Sequence, residues 1–389
     1  MKLTPDQKKA VNLKGRHALI SAGAGTGKTR TLVERAVELV ARRSVPVSEL
    51  LILTFTEKAA GEIKQRLSRR FQEEKLVSAR QDLESAYIST FHGFSARLLR
   101  NHPVEAGVDP EFRVLENEEA ELLKEEALDE TIAELFETQA PAFALFRSYG
   151  ETAIREAILS VYHTAGQEGL SLADYFSKWK TKRAENINGY RQLLAARAEE
   201  AAPSASDKFD LESWLKWIHS PSLNWQEIEL FKSWFAACGR SPKLTPWKNF
   251  VRDEWLPFQM EKFAEEAMIL FEQAALQFET VYVQKKQIQN GLDFDDLQVR
   301  AIQMLRGSHP GSKIVANALR RQFRYVFVDE FQDTSYLQME LVRFLMPQAE
   351  IFLVGDYKQS IYAFRGAEPR LFLETEREFE DSESALKID

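Results

Sequence analysis

Residues 17–29 read HALISAGAGTGKT. A short apolar strand runs into a turn of small residues, and the turn opens a helix whose Leu32, Ala36, Leu39 and Val40 share one face. This context constrains the fold more than any other stretch, because a glycine-rich turn between strand and helix is the setting of a phosphate-binding loop. Glycines let the backbone curl so that successive N–H groups point at an anion, and the helix start adds partial positive charge. On this reading Ala22, Gly23, Ala24, Gly25, Thr26 and Gly27 form the cradle. Lys28 is expected to reach the β- and γ-phosphates of a nucleotide, and Thr29 to hold Mg²⁺. Ala22 stands where the strict pattern has glycine, a departure of one methyl group.

A second stretch, VFVDEFQDTS at 326–335, sets an electrostatic condition. Val326, Phe327 and Val328 read as a buried strand that runs into two adjacent carboxylates, Asp329 and Glu330. Such a pair repels itself and loses hydration, so positive charge has to face it. Lys28 and the metal supply that charge. Asp329 then holds the same Mg²⁺, directly or one layer out, and Glu330 orients or deprotonates the attacking water.

The remaining sequence has two textures. ELLILTFT (49–56), AYIST (86–90), RYVFVDE and EIFLVGD (350–356) read as buried strands. EKAAGEIKQRLSRRF places Ala60, Ile63, Leu67 and Phe71 at helical spacing, and FSARLLRNH is a helix stopped by Pro103. Alternation of this kind predicts an α/β fold with a parallel sheet covered on both faces. From 116 to 289 the pattern is instead charged and helical, and all seven tryptophans lie there. The expected organisation is therefore a sheet domain in two segments, 1–115 and 290–389, interrupted by a mainly helical insert at 116–289. The tryptophans are expected to fill a helical core rather than to face duplex DNA. In LDFDDLQ (292–298), Asp293, Asp295 and Asp296 read as a helix start with exposed acids rather than as metal ligands.

Composition excludes several classes. No apolar run approaches the ~20 residues of a membrane span, and the amino terminus has no apolar signal core, so a cytoplasmic protein without membrane contact is expected. The one cysteine, Cys238, excludes an internal disulfide and a cysteine-based zinc site. The net charge is -8, so any binding of nucleic acid has to use a local groove.

Five stretches, in order, carry a resemblance to superfamily 1 helicases of the UvrD/Rep/RecB type: LTPDQ (3–7), ILTFTEKAAGEI (52–63), TFHGF (90–94), DEFQD (329–333) and VGDYKQSIYAFRGA (354–367). EPRLFLE (368–374), DPEFRVL (109–115) and the long insert lean towards the AddA/RecB helicase-nuclease branch. The resemblance implies a RecA-like P-loop ATPase domain that drives 3′-to-5′ translocation on single-stranded DNA in double-strand-break repair. It implies that Gln7 contacts adenine and that Gln359 links the γ-phosphate to DNA. It places Thr54, Phe55 and Thr56, and then Thr90, Phe91 and His92, against single-stranded DNA. Tyr362 and Phe364 join Phe55, Phe91 and His92 as aromatic faces near strand ends, where bases can stack. Arg365 either pairs with Glu330 or contacts DNA, and Arg30 either packs on adenine or is a solvated helix arginine.

In this family a second RecA-like domain supplies arginines to the γ-phosphate, and none of its motifs is present. The chain is thus expected to be an N-terminal piece that hydrolyses ATP slowly by itself. Expected partners are single-stranded DNA, single-strand/duplex junctions and a nuclease-helicase partner protein. Any nuclease domain is expected beyond Asp389. A competing reading is a P-loop binding or regulatory module whose helical insert docks a protein partner.

Overall fold

A computed structural model describes residues 3–15, 17–23, 26–185, 225–237, 245–307, 309–359, 369–380 and 385–388. Six strands form one parallel sheet: β1 (His17–Ser21), β2 (Leu50–Thr54), β3 (Tyr87–Thr90), β6 (Tyr325–Val328), β7 (Glu350–Gly355) and β8 (Ala385–Ile388). Their order is β3–β2–β6–β7–β1–β8. The short strands β4 (Arg113–Val114) and β5 (Gly291–Leu292) pair separately, also in parallel.

The alternation of side chains explains why both faces are covered. Leu53, Val328, Leu353 and Leu19 are register neighbours across four strands and belong to one apolar core. Ile52, Phe327 and Phe352 form the adjacent row and belong to the other. Each strand thus has apolar residues at odd and even positions alike, as a sheet buried on both sides requires. Helices Phe91–Asn101, Phe294–Arg306, Ser312–Gln322 and Tyr336–Leu345 cover the first face. Helices Lys28–Arg43 and Glu57–Glu73 cover the second.

The chain divides into two compact units. One, carrying the sheet, comprises Met1–Glu125, His163–Leu170 and Tyr282–Asp389; the other comprises Glu126–Tyr162 and Ser171–Val281. The texture boundary at 116–289 differs from this division at its edges, because residues 116–125, 163–170 and 282–289 pack with the sheet. In the second unit every described element is helical. Trp234, Trp247 and Trp255 pack with Phe231 and Phe235 there, and Phe231 and Trp255 have ring centroids 4.4 Å apart. These tryptophans fill a helical core; Trp214 and Trp217 lie outside the described residues. No described helix is long and apolar enough to cross a membrane.

The acids of LDFDDLQ are not exposed. Asp293 caps the helix Phe294–Arg306 in a capping box with Asp296, as a helix start requires, but it is buried. The sequence pattern misses the reason: Lys286, from the preceding helix Leu256–Ile288, enters the cluster and lies 2.9 Å from Asp293 and 2.5 Å from Asp296. Burial by itself would raise the Asp293 carboxyl, yet Lys286, the Asp296 N–H and the Tyr282 hydroxyl hold it below the ordinary carboxylate range. Removing one partner of a buried ion network costs more than the network contributes, because the remaining charges stay unpaired. Lys286→Met is expected to lower unfolding free energy by about 3–5 kcal/mol in a denaturant titration; a loss below about 1 kcal/mol would show that the aspartates have found other partners.

Candidate nucleotide and nucleic-acid site

The carboxyl ends of β1, β2, β3, β6 and β7 lie along one edge of the sheet, where open α/β sheets bind ligands. After β1 the chain turns, with the Ala22 N–H donating to the Gly355 carbonyl at the end of β7. The Thr26 hydroxyl and N–H both return to the Gly23 carbonyl and close the loop. Gly27 caps the helix Lys28–Arg43 in the left-handed region at φ 90°, a conformation that favours glycine. A Cβ there would also come within 3.3 Å of the Gln7 amide nitrogen, which donates to the Thr26 carbonyl. Gln7 also closes a capping box with Thr4. It is therefore fastened to the loop itself, while Arg30 is half-buried in the first turn of the helix. Ala24 and Gly25 lie outside the described residues.

Lys28 is buried, with its ammonium 3.4 Å from the Glu330 carboxylate and 3.4 Å from the Gln359 side-chain oxygen. The Thr29 hydroxyl donates to Asp329 at 2.9 Å. The Asp329 N–H donates to the Leu53 carbonyl, so the carboxylate pair begins where the sheet ladder ends. Glu330 adopts the left-handed region at φ 54°, a strained conformation for a residue with a Cβ. Burial, and then the neighbouring Glu330, push the Asp329 carboxyl up to about 6 against the hydrogen bond from Thr29. Asp333 is pushed up to about 6 by the same two causes.

The donor set suits a hard divalent cation. One hydroxyl and two carboxylates face a single lysine, and Mg²⁺ is usually held by one or two carboxylates together with substrate phosphates. Among the described residues no group of three or more His, Cys, Asp or Glu forms a metal cluster of its own. A buried lysine beside one hydroxyl and two carboxylates is chemically suited to a magnesium-bound nucleotide.

A cleft of about 410 Å³ opens in the same unit. Thr54, Phe55, Phe91 and His92 line it, together with Lys124, His163, Asp295 and Gln298. Phe55 is half-buried, whereas Phe91 is a core residue that reaches the cleft from within the apolar packing. His92 stacks edge-on against Phe294 at 4.9 Å and lies 2.7 Å from the Gln298 amide nitrogen. Burial lowers His92 to about 4, so it is neutral at physiological pH. The Thr54 hydroxyl is buried without a hydrogen-bond partner among the described residues. Thr56 and Thr90 cap the helices Glu57–Glu73 and Phe91–Asn101, and Thr90 also donates to Glu57. Tyr362, Phe364 and Arg365 lie outside the described residues. Lys124, His163, Asp295 and Gln298 carry no local signal that would have placed them at the cleft.

The family described as "UvrD/REP helicase N-terminal domain" matches residues 3–380. The chain belongs to this family. Its curated relatives include a subunit of the ATP-dependent helicase/nuclease of Listeria innocua, 29% identical over 99% of this chain and 37% of its own length. The corresponding proteins of Alkaliphilus metalliredigens and Staphylococcus saprophyticus are each 27% identical, over 98% and 99% of this chain. This helicase domain thus spans about 37% of the length of the relatives it matches.

Buried carboxylates with raised pKa values make a sharp stability prediction. An aspartate that titrates near 3.8 when unfolded and near 6 when folded holds its proton more tightly in the fold. It therefore costs no stability below about pH 4; the cost grows as pH rises to about 6 and is complete above that. Asp329→Asn is expected to raise the stability of the ligand-free domain at pH 7.5 by about 1–3 kcal/mol, with no gain at pH 4. Thermal unfolding of both proteins across that range checks it.

Proposed function

We propose that this chain is the ATP-binding half of a DNA-dependent ATPase that moves 3′ to 5′ along single-stranded DNA as a helicase motor in double-strand-break repair. The observation that carries the reading is the convergence of Lys28, Thr29, Asp329, Glu330 and Gln359 at one sheet edge, with the aromatic-lined cleft in the same unit. The helicase/nuclease names of the relatives favour the repair role, and polarity follows from the family resemblance alone.

Bound Mg-ATP supplies the transferable γ-phosphoryl group. The chain's own residues do the rest. Loop N–H groups and Lys28 hold phosphate charge, and Thr29 with Asp329 holds the cation. Glu330, kept in place opposite Lys28, orients or deprotonates the attacking water. Gln7 stands beside the loop to meet the adenine. Gln359 lies between Lys28 and Asp356 and begins the segment that leads to the aromatic motif. In the cleft, Phe55 and His92 offer faces to unstacked bases without sequence preference.

Lys28 is the only cation paired with Glu330 among the described residues. Arginines that reach the γ-phosphate in other P-loop enzymes accelerate hydrolysis by about 10³–10⁵, so Lys28 without such an arginine would support only slow turnover. Single-strand/duplex junctions and a nuclease-helicase partner protein complete the proposed setting.

Two substitutions separate the two halves of the reading. Lys28→Ala is expected to abolish binding of a fluorescent ATP analogue while oligothymidine binding persists. Phe55→Ala is expected to weaken oligothymidine binding by about 1–3 kcal/mol, the scale of one base stacked on an aromatic ring, while the nucleotide still binds. Nucleotide binding indifferent to Lys28, or no oligothymidine affinity in the wild type, would sink the corresponding half.

A further inference from the structure

Gln332 has no role in the reading above, yet it occupies the centre of the site. It is buried, at 3% exposure, in the turn that follows Asp329 and Glu330. Its amide nitrogen donates to Glu330 at 3.0 Å and to Asp333 at 3.2 Å. Its amide oxygen accepts the Asp356 N–H at 2.8 Å, just past the end of β7. The chemistry fixes this orientation: a backbone N–H only donates, and ionised carboxylates only accept. The contact is close-fitted as well. A Cβ on Gly355 would lie 2.7 Å from the Gln332 oxygen, 3.1 Å from its backbone nitrogen and 3.0 Å from Phe372. Glycine at the end of β7 thus makes room for this amide.

Two features show what the amide holds. Glu330 sits in the left-handed region, so its carboxylate needs an external tether to stay opposite Lys28. The same oxygen of Glu330 that faces Lys28 accepts from Gln332. On the other side, Asp356 bonds the Gln359 amide, and Gln359 bonds Lys28. The bonds thus close a ring that passes through the Asp356 backbone N–H and its carboxylate: Lys28, Glu330, Gln332, Asp356, Gln359 and back to Lys28.

We propose that Gln332 is the positioning residue for Glu330, fixing the direction of its carboxylate and tying it to the loop after β7. The inference rests on the reading of this pocket as an ATPase site. A shift of the Asp356 peptide is passed to the Glu330 carboxylate through one rigid amide. Gln332 touches neither nucleotide nor water in this role and acts only through Glu330.

The test uses the whole chain, with enzyme in excess over labelled ATP so that slow turnover is timed. Gln332→Met keeps the volume and removes the amide; Gln332→Glu keeps the shape and restores one donor when protonated. Binding of a fluorescent ATP analogue to Gln332→Met should stay within about threefold of wild type, while hydrolysis falls about 10- to 100-fold, less than the ~10²–10⁴-fold a placed general base contributes, because the base is displaced and not removed. Added to Glu330→Gln, the same change should slow hydrolysis no further, since both act through one carboxylate. Gln332→Glu should recover as pH falls from 8 to 6. A ligand-free readout accompanies these. In a crystal structure of Gln332→Met the Glu330 carboxylate should turn away from Lys28 while the backbone of the turn stays in place.

Hydrolysis by Gln332→Met within twofold of wild type overturns the proposal. So does a slowing that multiplies with that of Glu330→Gln, or a Glu330 carboxylate that keeps its place against Lys28 in Gln332→Met, which would mark a packing role only. If turnover is too slow to time, the ligand-free structure of Gln332→Met decides alone. A wild-type chain that does not bind the ATP analogue overturns the ATPase reading together with this one, and it is told apart because it appears before any Gln332 variant is made.

Discussion

A buried carboxylate and its half-buried neighbour face one buried lysine at the end of a parallel sheet, and the rest of the domain is arranged around that opposition. Lys28 follows β1, Asp329 and Glu330 follow β6, and β7 lies between them. The lysine therefore reaches across the tip of β7, where Gln359 takes its other side at 3.4 Å. Remove the lysine and the carboxylates have no described cation beside them; remove the carboxylates and a buried ammonium is left uncompensated. Neither group is placed for stability. Burial and the neighbouring Glu330 raise the Asp329 and Asp333 carboxyls, so their charge is held against its own preference, as the proposed cation and phosphate site requires.

The same sheet edge continues into the cleft. The Leu53 carbonyl accepts the Asp329 N–H, and the next residue along β2 is Thr54, which lines the cleft. One backbone hydrogen bond thus separates the carboxylate pair from the proposed base-binding wall. This nearness gives the domain a route for coupling that needs no long pathway: a change in how Asp329 is held alters the end of β2 directly. The lining residues Thr54 and Phe55 lead into the helix cap Thr56, and Phe91 and His92 follow the cap Thr90 directly, so capped helix starts hold them.

Local grammar made much of this legible. HALISAGAGTGKT contains strand, turn and helix start in one run, and VFVDE states its electrostatic demand in adjacent letters. The strands were readable because each is apolar at consecutive positions, a pattern that only a sheet covered on both faces requires. What stayed hidden depends on contacts between distant residues. Gln298 meets His92 across 206 positions, and Lys286 neutralises acids that look solvated when read in LDFDDLQ alone. The unit boundary moved for a related reason. Helices Asn117–Glu137 and Leu256–Ile288 each belong partly to both units, so a change of texture in the sequence is not a change of packing partner. Gln332 sits inside a recognised motif, but its bonds to Glu330 and Asp356 appear only when β6 and β7 are side by side.

The central claim is that one sheet edge serves both nucleotide and single-stranded DNA. Its most direct test is the affinity of a labelled oligothymidine for the chain, titrated with and without Mg²⁺ and a non-hydrolysable ATP analogue. Shared architecture predicts a change of about fivefold or more, the lower end of typical coupling energies, with DNA changing nucleotide affinity by the same factor. Equal affinities in the two titrations, with both ligands shown to bind, would contradict it.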